Sequence, residues 1–186
     1  HDDLPAMDND DYRRGQLTTH KKFGEDMGIL AGDGLLNYAY ETMLKAFEYC
    51  NDVKEFEKVV RACKVLTDKS GIYGMVGGQT LDVELTNKPM NKEQLDFIFR
   101  LKTGALLEAS FAIGAILAGA SDEDVVRLKE AGTKVGMAFQ IQDDILDLTS
   151  TQEILGKPVF SDEKNNKTTY VTLYGMGKAT QDVDNL

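Results

Sequence analysis

Three aspartates, Asp143, Asp144 and Asp147, close the segment Phe-Gln-Ile-Gln-Asp-Asp-Ile-Leu-Asp at 139–147. Residues three and four apart share a helix face, so Asp143 and Asp144 both look across at Asp147. Like charges placed this way repel, a cost usually accepted only where a cation lies opposite. The chain opens with a matching group, Asp2, Asp3 and Asp8, followed by Arg13 and Arg14. Acidic clusters are ordinarily solvated faces, but each of these borders apolar helical sequence, which suits a cavity better than bulk water. Magnesium keeps several waters and takes one or two protein carboxylates plus phosphate oxygens. Two aspartate half-sites facing across a cavity meet that demand.

Other metal readings fit less well. A calcium loop beginning at Asp8 would need glycine where Arg13 stands and glutamate where Thr19 stands. Di-iron carboxylate bundles need Glu-x-x-His pairs, and His1 and His20 are not so placed. The cations form a second pattern: Arg13, Arg14, Lys102, Lys157 and Lys167 lie at polar or glycine-containing breaks. Singly they read as surface charge. Beside the aspartates they read as clamps on a multiply charged phosphate ligand.

Helices must position these groups. Residues 1–8 read as a helix end running into a loop at Pro5. Residues 24–49 carry Met27, Leu30, Leu35, Tyr38, Met43 and Phe47 mostly at helical steps, with Gly28, Gly32 and Gly34 suggesting close packing. Asp52 with Glu55 predicts a capped helix ending near Gly71, with Phe56, Val59, Val60, Cys63 and Leu66 inward. Residues 72–82 fit strand or helix, with helix favoured by their surroundings. Asn91 and Gln94 predict a capping box opening a helix through about Ala118, interrupted by Lys102-Thr103-Gly104. Ser121 with three acids predicts another helix start, and a short helix is expected near 169–174. Pro158 and the polar run 161–167 read as a loop. The expected fold is all-α, an antiparallel helix bundle around a central cavity.

The 186 residues fit one domain, 1–186. A net charge of −10 argues against nucleic acid as partner. No apolar run approaches about 18 residues, so no stable membrane insertion is expected. Cys50 and Cys63 lack metal-type spacing and read as reduced thiols, with a cytoplasmic protein expected. The start at His1 and the stop at Leu186 read as an internal piece of a longer protein.

Taken in order, Asp2-Asp3-Leu-Pro-Ala-Met-Asp8, Arg13-Arg14-Gly15, Gly78-Gln79, Lys102-Thr103-Gly104, Phe139-Gln140-x-x-Asp143-Asp144-x-x-Asp147, Gly156-Lys157 and Asp162 to Lys167 resemble the trans-isoprenyl diphosphate synthases. The similarity is strongest to the bacterial short-chain, farnesyl-forming branch. The resemblance implies an isoprenoid synthase fold and head-to-tail condensation of isopentenyl diphosphate with an allylic diphosphate by a homodimer. It implies three Mg2+ ions per site, replaceable by Mn2+. Asp2 and Asp8 would hold two of these and Asp143 the third, with Asp3, Asp144 and Asp147 completing the motifs. Arg13, Lys102, Lys157, Lys167 and Gln140 would bind the allylic diphosphate, Arg14 and Phe139 would face isopentenyl diphosphate, and Thr103 would steady the carbocation. Lys102, Thr103, Asp2 and Asp143 are thus the expected catalytic groups. The family's basic residues for isopentenyl diphosphate and its product-length residues precede Asp2, and its closing helices follow the region matched here, so the piece alone is expected to work poorly. A geranylgeranyl-forming enzyme or a non-catalytic prenyltransferase subunit are the alternatives. A class I terpene cyclase, whose second motif mixes Asn, Ser or Thr with Glu, fits Asp143-Asp144-x-x-Asp147 poorly.

Overall fold

The computed structural model describes residues 1–151 and 167–186. Its first eight residues are turns rather than the expected helix end: the Leu4 N–H donates to the His1 carbonyl and the Asp8 N–H to the Asp2 carbonyl at 3.0 Å. Pro5 supplies no N–H, and so short a segment does not offset the cost of helix nucleation. A small departure from the all-helical expectation follows. Strand β1 (Tyr12–Arg13) pairs antiparallel with β2 (Gln16–Leu17). Arg14 and Gly15 turn the chain between them at φ of 54° and 75°, the backbone a two-residue hairpin turn requires.

Helix α1 (Thr19–Phe23) leads through Gly24 into α2 (Glu25–Leu44), which tightens to a 3-10 turn at Lys45–Tyr49. Two of the three glycines in α2 do permit close packing. A Cβ at Gly28 would lie 3.0 Å from Leu4 Cδ2, one at Gly32 would overlap the His1 ring, and Gly34 faces open space. The expected apolar face of α2 is not buried, however: Met27, Leu30, Leu35 and Tyr38 are exposed, and only Gly28 is buried. Periodicity marks a face that can be covered, not what covers it.

Asp52 accepts the Glu55 N–H and opens α3 (Val53–Ser70). This helix buries Val59 and Ala62, whereas Phe56 and Val60, expected inward, are exposed. Residues 75–84 resolve as helix, α4 (Met75–Glu84). The capping box at Asn91 and Gln94 opens α5 (Lys92–Ile98). A π-helical turn, Phe99–Thr103, then joins it to α6 (Gly104–Ala118). Ser121 caps the long α7 (Asp122–Thr149). Thr169 and Thr172 cap each other at α8 (Tyr170–Tyr174), and α9 (Met176–Asn185) follows.

Small residues set the central packing. A Cβ at Gly136 would come within 2.6 Å of Gly104 Cα, and one at Gly132 within 2.8 Å of Glu108 Cα, so α6 and α7 meet nearly backbone to backbone. One core cluster, Ala62, Ala112, Ala115, Ile116 and Val125, joins α3, α6 and α7. The other, including Leu95, Ile98, Phe99, Ile141 and Ile145, joins α5 to α7 beneath the acidic residues. Leu95 and Ile141, at 2% and 1% exposure, each contribute about 1.5–3 kcal/mol relative to leaving them in water. The continuous helical stretch Lys92–Ala118 is long and apolar enough to cross a membrane by length and composition alone, although Lys102 and Glu108 interrupt its apolar run. It is apolar because α6 is the central core helix, with Ala105, Ala109, Ala112 and Ile116 buried.

Candidate active site

Both aspartate groups face one cavity. Its volume is about 210 Å3, and its lining includes Asp2, Asp8, Asp143, Asp144 and Asp147 together with Arg13, Lys102, Gln140 and Lys167. Three local devices aim these side chains. The turns at 1–8 fold Asp8 back onto Asp2, the π-helical turn at Phe99–Thr103 carries Lys102 out of the regular helical register, and helical spacing on α7 stacks Gln140, Asp143, Asp144 and Asp147.

The polar contacts tie distant parts of the chain together. Gln79 Nε2 donates to Asp2 Oδ1 at 2.9 Å, and Lys167 Nζ donates to Asp8 Oδ1 at 3.0 Å. Lys102 Nζ donates to Asp82 Oδ2 at 2.7 Å. Thr103 Oγ1 donates to Gln140 Oε1 at 2.7 Å, and Gln140 Nε2 reaches Asp144 Oδ1 at 3.4 Å. The Tyr170 backbone N–H donates to Asp144 Oδ2 at 2.7 Å. Asp144 and Asp147 are both 4% exposed, so neither is a solvated surface charge.

Not every expected residue lines this cavity. Asp3 instead accepts from Arg13 Nη1 at 2.8 Å. Burial lowers the Arg13 pKa, but the hydrogen bond and charge of Asp3, aided by Asp2 and Asp10, outweigh it and raise the value above the ordinary one. Arg13 is therefore firmly cationic at the cavity. Arg14 occupies the hairpin turn and is exposed, as is Phe139 on α7. Thr103 lines a second cavity of about 780 Å3, bounded by His1, Asp2, Met7, Met75, Val76, Gln79, Val83, Lys102 and Leu106. The two cavities share Asp2 and Lys102. Lys157, with Gly156 and Asp162, lies outside the described residues.

Sequence reasoning missed Asp82, which is buried on α4 and faces two lysines, and it gave Gln79 no role at the site. The available signal was an acid one helical turn after Gly78 in an otherwise apolar stretch.

The donor set fits a hard divalent cation. The cavity offers carboxylate and amide oxygens, and among the described residues no thiol or imidazole lines it. Among the described residues no three His, Cys, Asp or Glu side chains gather closely enough to enclose an ion by themselves. That suits magnesium, which takes few protein ligands and completes its shell with water and ligand oxygens. Asp2, Asp8 and Asp143 would hold it here.

Comparison with known proteins agrees with this chemistry. The sequence profile described as polyprenyl synthetase matches residues 1–186. The chain is 44% identical over 182 residues to a farnesyl diphosphate synthase of Geobacillus stearothermophilus, covering 97% of this chain and 60% of that protein. It is 43% identical over 189 residues to the chloroplastic heterodimeric geranylgeranyl pyrophosphate synthase large subunit 1 of Arabidopsis thaliana, covering 100% of this chain and 50% of that one. A solved geranyltransferase of Helicobacter pylori, complexed with magnesium and isoprenyl diphosphate, superposes with a TM-score of 0.88 at 36% identity, covering 100% of this chain and 59% of that one. The chain thus spans between 50% and 60% of the length of these curated relatives.

Proposed function

The chain belongs to the polyprenyl synthetase family, and on that premise we propose that the whole protein is a Mg2+-dependent prenyltransferase. It joins isopentenyl diphosphate head-to-tail to dimethylallyl and geranyl diphosphates, with farnesyl diphosphate as product. The observation that carries this reading is the pair of cavities sharing Asp2 and Lys102. One is charged and suits a diphosphate; the other is bounded largely by apolar side chains and suits its hydrocarbon tail. An allylic diphosphate laid across the pair has its C1–O bond at the junction, beside Thr103.

Arg13, Lys102, Lys167 and Gln140 bind the diphosphate, joined by Lys157. Asp2, Asp8 and Asp143 would hold Mg2+, or Mn2+ in its place, at three ions per site, with Asp3, Asp144 and Asp147 supporting them. Bound ions supply positive charge for the leaving diphosphate. As the allylic C–O bond breaks, its electron pair goes to the diphosphate, and Lys102, Lys167 and Arg13 stabilise the growing negative charge. Thr103 commits its proton to Gln140, so its oxygen offers lone pairs to the cation left behind. Met75 and Leu106, half-buried on the wall of the second cavity, help keep water from that cation. The isopentenyl double bond then attacks it, and the proton lost on forming the new alkene goes to the departing diphosphate. Arg14 and Phe139 are assigned to isopentenyl diphosphate.

Relatives forming farnesyl and geranylgeranyl diphosphates stand at similar identity, so geranylgeranyl diphosphate is the second product reading. Incubating the full-length protein with labelled isopentenyl diphosphate and dimethylallyl diphosphate should give mainly the fifteen-carbon product on chromatography. A twenty-carbon product overturns the chain length, and no condensation overturns the function.

A homodimer goes with this reading. Met27, Ile29, Leu30, Leu35, Leu36, Tyr38 and Leu44 of α2 are exposed, and an apolar helix left open this way suits pairing with a second copy of itself. Sedimentation equilibrium should give twice the chain mass, and Leu35→Glu should lower it; a monomer of native activity would exclude the dimer. We also assign the protein to the cytoplasm, in keeping with the free thiols of Cys50 and Cys63. Recovery of the native protein in a secreted fraction would refute that.

A further inference from the structure

Asp82 belongs to neither aspartate motif, yet it lines the charged cavity. It lies on α4 one turn after Gly78, so the two share a face. A Cβ at Gly78 would overlap the backbone nitrogen of Lys102, so glycine is what lets α4 approach the π-helical turn this closely. That approach sets Asp82 Oδ2 2.7 Å from Lys102 Nζ, while Lys167 Nζ, which donates to Asp8 at 3.0 Å, lies 4.0 Å from the same Asp82 oxygen. The Asp82, Lys167 and Lys102 side chains are only 11%, 16% and 24% exposed.

Two consequences follow from elementary electrostatics. Two ammonium groups converging from separate elements repel, and a carboxylate between them offsets that repulsion. A carboxylate at the edge of a polyanion site also repels the ligand, so on charge alone Asp82 would weaken binding. Its burial against both lysines favours the first effect. We propose that Asp82 is a positioning residue for diphosphate: it holds the Lys102 ammonium group directly, offsets its repulsion with the Lys167 ammonium group that Asp8 holds, and acts on the ligand through them. This rests on the prenyltransferase reading of the same cavity.

The test uses the full-length protein and inorganic diphosphate with Mg2+, read by titration calorimetry alongside steady-state kinetics. If the wild type does not bind diphosphate, the functional reading fails before Asp82 is questioned. Given wild-type binding, Asp82→Asn should weaken it about tenfold, the scale of removing one charge-assisted hydrogen bond. The loss should appear mainly in KM for the allylic substrate. Asp82→Glu, which keeps the charge, should recover most of the affinity. Tighter binding by Asp82→Asn would mean that Asp82 acts only as a repelling charge, and would overturn the proposal. Unchanged affinity with a lowered Tm would make it merely structural, and would equally overturn it. Should Asp82→Asn not fold, the Glu variant decides: affinity within about threefold of wild type supports positioning, and tighter binding refutes it.

Discussion

Chelating divalent cations is expected to abolish binding of an unreactive allylic diphosphate analogue to the full-length protein. The charged cavity is lined by Asp2, Asp8, Asp10, Asp82, Asp143, Asp144 and Asp147 against Arg13, Lys102 and Lys167. Among the described residues, carboxylates therefore outnumber cations in its lining. A ligand carrying several negative charges cannot enter such a site favourably unless added cations reverse the balance. The expected loss is at least about a hundredfold in affinity, or roughly 2.7 kcal/mol. Titration calorimetry in Mg2+, in Mn2+ and in excess chelator measures it. Equal affinity with and without metal would sink the assignment of the aspartates as ion ligands.

The second large effect is expected from Asp143→Ala. Asp143 lines the cavity from α7, where it would hold a cation serving charge that develops on the leaving group. Turnover should fall on the order of a hundredfold or more, while Tm moves by no more than roughly 4 °C. Its neighbour should behave differently. Asp144 accepts the Tyr170 N–H at 2.7 Å and is 4% exposed, so Asp144→Ala leaves a donor unsatisfied at the start of α8. That should cost about 1–3 kcal/mol of stability as well as activity. Thermal denaturation beside steady-state kinetics separates the two variants. Intact turnover in Asp143→Ala with a large fall in Tm would mean that the cluster is structural.

Adjacent residues with separate expected outcomes mark the division between what sequence and fold each supply. Features decided within one or two helical turns were readable from the chain itself. Asn91 with Gln94 and Ser121 with Asp124 cap helices as their spacing predicts, because a cap needs only residues three apart. Asp143, Asp144 and Asp147 share one end of α7 for the same reason. The break at Lys102-Thr103 was visible as polarity within an apolar run, though not as a π-helical turn. Segment 72–82 stayed ambiguous because short apolar runs fit both periods. The tight approach of Gly78 to the Lys102 backbone, made by residues far apart in sequence, accompanies its helical form.

Tertiary structure alone decided the pairings. Lys167 reaches Asp8 across 159 residues and Lys102 reaches Asp82 across 20. Neither distance repeats with any local period, so no spacing rule announces them. Arg13 was readable as a cation near the first aspartates, but its bond to Asp3 depends on how the hairpin folds back on residues 1–8. The apolar face of α2 was readable too, while its exposure was not, since periodicity describes a helix and burial describes its neighbours. Residue types and short spacings thus determined the helices, their caps and the chemistry of the two aspartate groups. The close seating of residues 1–8 on the α2 glycines, with Asp2 bonded to Gln79 and Asp8 to Lys167, brought the two groups to one cavity, and the approach of α4 to the π-helical turn through Gly78 set Asp82 against Lys102 there, because backbone approach within a few ångströms is a property of the assembled helices.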